Sequence, residues 1–425
     1  MRIRIPIYLL CFLYCFTWFR LPLSSLDLPV QRLVGWGMFA LLIANIALRR
    51  GTLSGPSFKR YLAFSLVFMG ALAVNFLSSM GYTRFFDVKL FLMDFSKYVA
   101  IFGITLTVYY ALKNEWVTTD RMIHFIKRSG VLCLYITIGL LALYIIGFRS
   151  TNEIFVRPFG TAWGVWETGR FLPRLAGTTA EPQQLSIIFI TPILLIMAKN
   201  KNKLSFIPLL GILVLFMSQS KFSFISIALV IFYLIIARKS FRAPVIFFLA
   251  LLTPFIYQIA IKLPIMKDFL DNGMNAGAIT ERSDNYGILF GIIKEHPFFG
   301  IGAGQYGLYM QSLGADVPDN YYPNADLMKI FAEVGIVGFL AVIFIFAYLA
   351  VTTMRAYRVS EGEEKYTILA LGIGTLAIFF NMFIGYEFLH VFVWINIGML
   401  MYYNDKVLSS HKEEVVTNRR LALSR

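Results

Sequence analysis

Apolar residues in this chain come in blocks of about 15 to 20, broken by short polar stretches, and do not alternate or recur on one helical face alone. A helix needs about 20 mostly apolar residues to cross the hydrocarbon core of a bilayer. The blocks therefore predict spans near 5–19, 33–48, 61–79, 93–112, 129–147, 184–198, 204–218, 222–237, 243–261, 333–352, 366–384 and 388–403. The expectation is an all-α polytopic membrane protein of about 12 transmembrane helices. The first block lacks a small-residue cleavage site and is followed by further spans, so it reads as a retained helix.

Composition agrees with this pattern: of 425 residues, 58% are hydrophobic and 15% are charged. Soluble domains average roughly 45–50% apolar and about 25% charged, which excludes a soluble enzyme, a secreted scaffold and a disordered chain. The net charge of +15 would suit a nucleic-acid binder, so its placement matters. With the N-terminus inside, 24 of the 39 Lys and Arg fall in inward segments, several of them short and dense, such as 199–203 and 238–242. Cytoplasmic loops carry this excess. The charge thus predicts both termini cytoplasmic and no nucleic-acid partner. Cys11, Cys15 and Cys133 lie in apolar runs without metal-ligand spacing, which supports neither a disulfide framework nor a zinc site.

Two outward segments are too long to be connectors, 148–183 and 262–332, and long loops of mixed polar, aromatic and apolar composition carry function. The chain thus divides into helices 1–5 over 1–147, an outer loop over 148–183, helices 6–9 over 184–261, a large outer loop over 262–332, helices 10–12 over 333–403 and a tail over 404–425. In the large loop, 285–294 reads as a short amphipathic helix on the membrane surface, stopped by His296-Pro297. Its alternate glycines, Gly300, Gly302 and Gly304, lack the strand and helix of a dinucleotide site and suit backbone running closely along a surface or a substrate.

The first loop holds Arg149, Arg157, Arg170 and Arg174, outward guanidiniums that run against the positive-inside bias. Their planar forks suit phosphate oxygens, although lipid headgroups or Glu153 and Glu167 would serve them too. Asn324 and Asp326 are candidate helix caps, and Glu333 is an acid at the membrane border, costly unless paired or functional. No Asp-x-Asp and no His/carboxylate cluster occurs, so no metal and no other cofactor is expected.

The stretch from Arg282 to Gly304 with "EHPFFGIGAGQYG", followed by "NADLMKIFAEVGIVGF", resembles the signature domain of the O-antigen polymerase and O-antigen ligase superfamily. The upstream "RLAGTTAEPQQLS" and "SQSKFSFISIAL" resemble that superfamily's blocks around its middle spans. The resemblance covers roughly residues 170–340. It implies a membrane glycosyltransferase whose donor and acceptor are undecaprenyl-pyrophosphate-linked glycans on the periplasmic face, in contact with membrane lipids and with a chain-length regulator as an expected partner. Ligases of the superfamily carry a histidine eleven residues before the first glycine of the "AEVGIVG"-like stretch. Here that position is Asn324, which points to the Wzy-type polymerase branch, with a ligase or a lipid-linked glycan transporter as alternatives. Cations aimed at the leaving pyrophosphate would stabilise the transition state, with Arg174 and Arg282 as candidates. Glu181, Asp319 and Asp326 compete as general base. Arg170, Lys221, His296, Tyr321, Tyr322, Asn324 and Glu333 are candidate substrate contacts.

Overall fold

A computed structural model describes residues 4–16, 30–48, 55–82, 86–147, 164–166, 173–179, 181–238, 277–319, 321–323, 325–383, 385 and 388–423. Its helices are α1 (Arg4–Phe12), α2 (Val30–Ala47), α3 (Pro56–Tyr82), α4 (Val88–Lys113), α5 (Thr119–Ile145), α6 (Pro182–Lys199), α7 (Phe206–Met217), α8 (Lys221–Ala237), α9 (Gly277–Glu295), α10 (Tyr306–Ser312), α11 (Asp326–Val359), α12 (Gly362–Asn381) and α13 (Val391–Leu423). Between α5 and α6, β1 (Gly164–Trp166) pairs antiparallel with β2 (Arg174–Gly177). This ribbon is the one departure from the all-α expectation among the described residues.

Among the described residues, five helices are long and apolar enough to cross a membrane: 56–81, 88–113, 119–145, 182–199 and 326–359. Leu33–Ala47, Phe206–Met217 and Lys221–Ala237 are apolar but shorter. The block at 5–19 is described as far as residue 16, with helix over Arg4–Phe12, and the block at 243–261 lies outside the described residues. The other block boundaries shift where polar residues join a helix. The tenth helix begins at Asp326, inside the segment expected to be loop, because its first turn is buried against other helices. The helix expected at 285–294 runs from Gly277 and ends at Glu295, immediately before His296-Pro297.

Local chemistry sets several ends. Asp87 caps α4 by accepting from the Lys89 and Leu90 amides at 2.6 and 3.1 Å, and Ser220 caps α8 in a reciprocal box with Ser223. The core joins α3, α4 and α13 through an aromatic stack: Phe68 with Tyr98 and Phe102 at 5.0 and 5.3 Å, then Phe102 with Trp394 at 5.1 Å and Trp394 with Phe388 at 5.0 Å. Gly398 lets α13 close on α4, since a Cβ there would lie 2.9 Å from the Thr105 carbonyl oxygen. At the far end of these helices, Asp405 accepts from the Tyr109 hydroxyl at 2.6 Å and from the Ser57 amide and hydroxyl at 3.1 and 2.6 Å, which ties α3, α4 and α13 together.

Candidate active site

The polar residues of α3, α4, α11 and α12 meet at one end of the bundle. On α11, Asp326, Lys329 and Glu333 follow a spacing of three and four residues and share a face. The Lys329 ammonium, 2% exposed, lies 3.0 Å from Glu333 Oε2 and 3.3 Å from Asp94 Oδ2 on α4. Lys97 closes on the other Asp94 oxygen. Two ammoniums thus face two carboxylates, which is how a buried charge network offsets its desolvation. Lys329 also sits over the Tyr322 ring, 3.7 Å from its centroid. The Tyr322 hydroxyl donates to Asp326 Oδ1 at 2.6 Å, and the Phe388 amide donates to Asp326 Oδ2 at 2.7 Å. Burial, and behind it the Asp326 charge, holds the Tyr322 phenol well above its ordinary range, so it stays a neutral donor.

A break in α11 lies beside this network. Gly335 has φ 82°, and a Cβ there would run into the Phe298 carbonyl. The carbonyls freed by the break are taken up by the glycine-rich loop: Ile301 N–H donates to Ala332 O and Gly302 N–H to Glu333 O, both at 3.0 Å, while Ile336 N–H donates to Pro297 O at 2.9 Å. From α3, the Asn75 amide donates to Glu333 O at 2.8 Å and to Phe299 O, and accepts from Ala303 N–H at 3.2 Å. Gln305 fixes the same loop to Asp87, accepting its N–H at 2.8 Å and donating to its carbonyl at 3.0 Å. The Glu333 carboxylate receives the Tyr306 N–H at 3.1 Å. Gly300 thus packs on the broken backbone at Glu333, Gly302 donates its N–H to it, and Gly304 lies against the Leu90 carbonyl of α4.

A second polar group is set on α5 to α8. The strand β2 and the turn after it are buried, with Leu175, Ala176, Thr178 and Thr179 all at 0% exposure. Such non-helical backbone is tolerated inside a bundle because protein satisfies it: the Thr179 hydroxyl donates to Ala176 O at 2.7 Å and the Thr178 hydroxyl to Cys15 O at 2.6 Å. Arg174, half-buried at the start of β2, donates from Nε to Ser218 O at 3.4 Å. Ser186 on α6 bonds to the hydroxyls of Ser218, Ser220 and Ser223 at 3.0, 3.1 and 3.2 Å. The 12-residue α7 rises about 18 Å, short of the roughly 30 Å hydrocarbon core, and the turn through Ser218 and Ser220 joins it to α8, which starts at the exposed Lys221. A chain of bonds joins the two groups: Gln183 to Asn381 Oδ1 at 3.4 Å, Gly385 N–H to Asn381 O at 2.7 Å and Asp326 N–H to Gly385 O at 2.9 Å.

The structure sets Arg174 against Ser218, with Glu181 at the start of α6 and Lys221, exposed, at the start of α8, and brings Asp326, Glu333, Tyr321 and Tyr322 to the other group. Glu181 stands at the cap position of α6, yet its carboxylate makes no capping bond. The expectation of Asp326 as a cap is corrected: Ala325 holds that position, and the Asp326 carboxylate is turned to Tyr322 and Phe388. Tyr321 stacks on Tyr306, centroids 6.1 Å apart, and Asp319 is exposed with Gln311 donating to it at 2.9 Å. His296 lines a separate cleft of about 310 Å³ with Ser78, Ser79 and Glu295. Arg282 lies on α9, with its side chain outside the described residues, as Arg170 and Asn324 are altogether. Reading the sequence missed Asp94, Lys97, Lys329, Asn75 and Gln305. The signal was there in charges inside apolar helices, above all Asp326-x-x-Lys329-x-x-x-Glu333. Among the described residues no group of His, Cys, Asp and Glu could hold a metal ion.

The family model described as O-antigen ligase matches residues 206–343, from α7 through the break in α11. The match supports a relationship to the O-antigen polymerase and ligase superfamily and a role in membrane-associated O-antigen processing. No curated protein matches the chain.

Proposed function

We propose that this chain is a metal-independent glycosyltransferase of the bacterial inner membrane that polymerises undecaprenyl-pyrophosphate-linked O-antigen repeat units on the periplasmic face. The observation that carries the reading is the reach of Arg174, half-buried at the start of β2, to the Ser218 carbonyl inside the segment that matches the O-antigen ligase family, with Lys221 exposed at the start of α8. A lipid pyrophosphate lies at the membrane border, between its apolar chain and its glycan. Arg174, and Arg282 from α9, neutralise the charge that develops on the pyrophosphate as the anomeric C–O bond breaks. The acceptor sugar hydroxyl attacks the anomeric carbon and yields its proton to a carboxylate, for which Glu181, at the cap position of α6 without a capping bond, is the candidate. The growing chain passes to the new unit, and undecaprenyl pyrophosphate leaves.

The polymerase reading is preferred to the ligase reading because Asn324 stands where ligases of the superfamily carry a histidine; the name of the matched family favours the ligase as the second reading. A transporter would place charge near the span midpoints, whereas Asp94 and Glu333 lie about 10 Å from the starts of their helices. Lipopolysaccharide banding in a deletion strain separates the three. Core capped with a single repeat is expected. Bare core with accumulated lipid-linked polymer would make the chain a ligase, and loss of all surface repeat units would make it a transporter. In the complemented strain, Arg174→Ala and Arg282→Ala abolish polymer at normal protein level, and the Lys variants rescue poorly because a point charge does not reproduce a fork.

A further inference from the structure

Lys329 is the most deeply buried cation of the described residues, and the mechanism above gives it no task. Its ammonium contacts three groups on three chain segments: Asp94 of α4 at 3.3 Å, Glu333 one turn along α11 at 3.0 Å, and the face of the Tyr322 ring at 3.7 Å. The two carboxylates fix the ammonium from opposite partners, and Asp94 is itself held by Lys97. The ring above it cannot then rotate without losing a desolvated cation–π contact. The hydroxyl of that ring ends 2.6 Å from Asp326, whose second oxygen is tied to Phe388 at 2.7 Å. The sequence of contacts therefore runs from a buried ion network, through an aromatic face, to the carboxylate at the mouth of α11.

We propose that Lys329 is a positioning residue: clamped by Asp94 and Glu333, it sets the Tyr322 ring, and through it the Asp326 carboxylate, in the orientation that receives the acceptor glycan. This rests on the glycosyltransferase reading and adds the acceptor side of the same site. The alternative is a purely structural ion network, which matched apolar or neutral groups would replace without loss of activity. Replacement separates the two. Neutralising all three partners removes the buried ions and leaves only Lys97, whose side chain is 22% exposed and reaches solvent, whereas changing Lys329 alone would leave Glu333 unpaired and Asp94 with Lys97 alone.

The experiment uses the full chain in lipid nanodiscs with undecaprenyl-pyrophosphate-linked repeat units. It follows initial polymerisation rate, thermal midpoint, and hydrogen exchange of the amides of 321–327. The triple variant Asp94→Asn, Lys329→Met, Glu333→Gln is expected to lose about 30-fold in rate, the scale of one desolvated cation–π contact, and to lose protection at 321–327. Lys329→Arg, which keeps the cation, restores the rate to within a few-fold. Tyr322→Leu lies outside the ion network and reproduces the loss, and joining it to the triple variant adds nothing further, as expected of groups acting in series. A triple variant as active as wild type, a fully active Tyr322→Leu, or losses that multiply when combined would each overturn the proposal. If the triple variant does not accumulate, Tyr322→Leu and Lys329→Arg decide the matter alone. A wild-type chain that makes no polymer defeats the glycosyltransferase reading; the positioning claim is then decided by exchange at 321–327, and unchanged protection in Tyr322→Leu rejects it.

Discussion

Two carboxylates that look interchangeable in the sequence differ in what the fold asks of them. Asp326 has both oxygens engaged, one by a phenol and one by a backbone amide, at the buried start of a helix. Glu181 stands at a helix start with no capping bond and is partly exposed. Glu181→Gln is therefore expected to lower the polymerisation rate by about 10²–10⁴-fold with normal accumulation, the range of a positioned general base. Asp326→Asn should act first on stability, because one of its two acceptors becomes a donor facing the Phe388 or Tyr322 donor; the loss is about 1–3 kcal/mol, read as a fall in thermal midpoint in detergent. Reversed outcomes for the two variants would exchange their roles. The sequence placed both residues among the candidates, since both are acids next to helix starts. It could not rank them, because the donors that occupy Asp326 lie 4 and 62 residues away.

At the scale of elements, the break in α11 and the glycine-rich loop form one unit. Gly335 takes a backbone conformation that L side chains resist, and the space for a Cβ is filled by the Phe298 carbonyl. Gly335→Ala should cost more than the roughly 1–2 kcal/mol of the left-handed conformation alone, seen as a lower thermal midpoint. Asn75 holds both sides of the unit with its side-chain amide. Asn75→Ala should leave buried carbonyls and an amide without that partner, at about 1–3 kcal/mol, and should speed hydrogen exchange at Ile301, Gly302 and Ala303 while leaving α13 unaffected. Loss of protection across the whole bundle would instead make Asn75 a global core residue. Hydropathy located α11 over its apolar length from 333, but it missed the first two turns, which start at Asp326. Asp326 and Lys329 look like loop residues until the partners that neutralise them are known.

For the whole molecule, orientation is the property most open to test. The site groups lie at the ends of α4, α6, α8 and α11 opposite to the Lys199–Lys203 turn, and the positive-inside bias assigns that turn to the cytoplasm. Ser312→Cys, in the exposed last position of α10, should react with an impermeant maleimide in intact spheroplasts. Lys203→Cys should react only after permeabilisation. The three native cysteines are buried, so background labelling is low. Labelling of position 203 in intact spheroplasts would invert the topology and move the site to the cytoplasmic side.

Hydropathy by itself determined that the chain is a bundle of apolar helices, because the cost of unpaired backbone in lipid leaves little else for such blocks to form. Its motifs marked the region of roughly 170–340, where the polar chemistry collects. Tertiary structure decided which residues of that region act together: Arg174 with Ser218, and Asp326 with Tyr322, while Asp94 and Asn75 came from helices the motifs did not cover. A charge inside an apolar helix is stable only through partners distant in sequence. No local pattern contains those partners, so the ion network around Lys329 became visible only when α3, α4 and α11 were packed side by side.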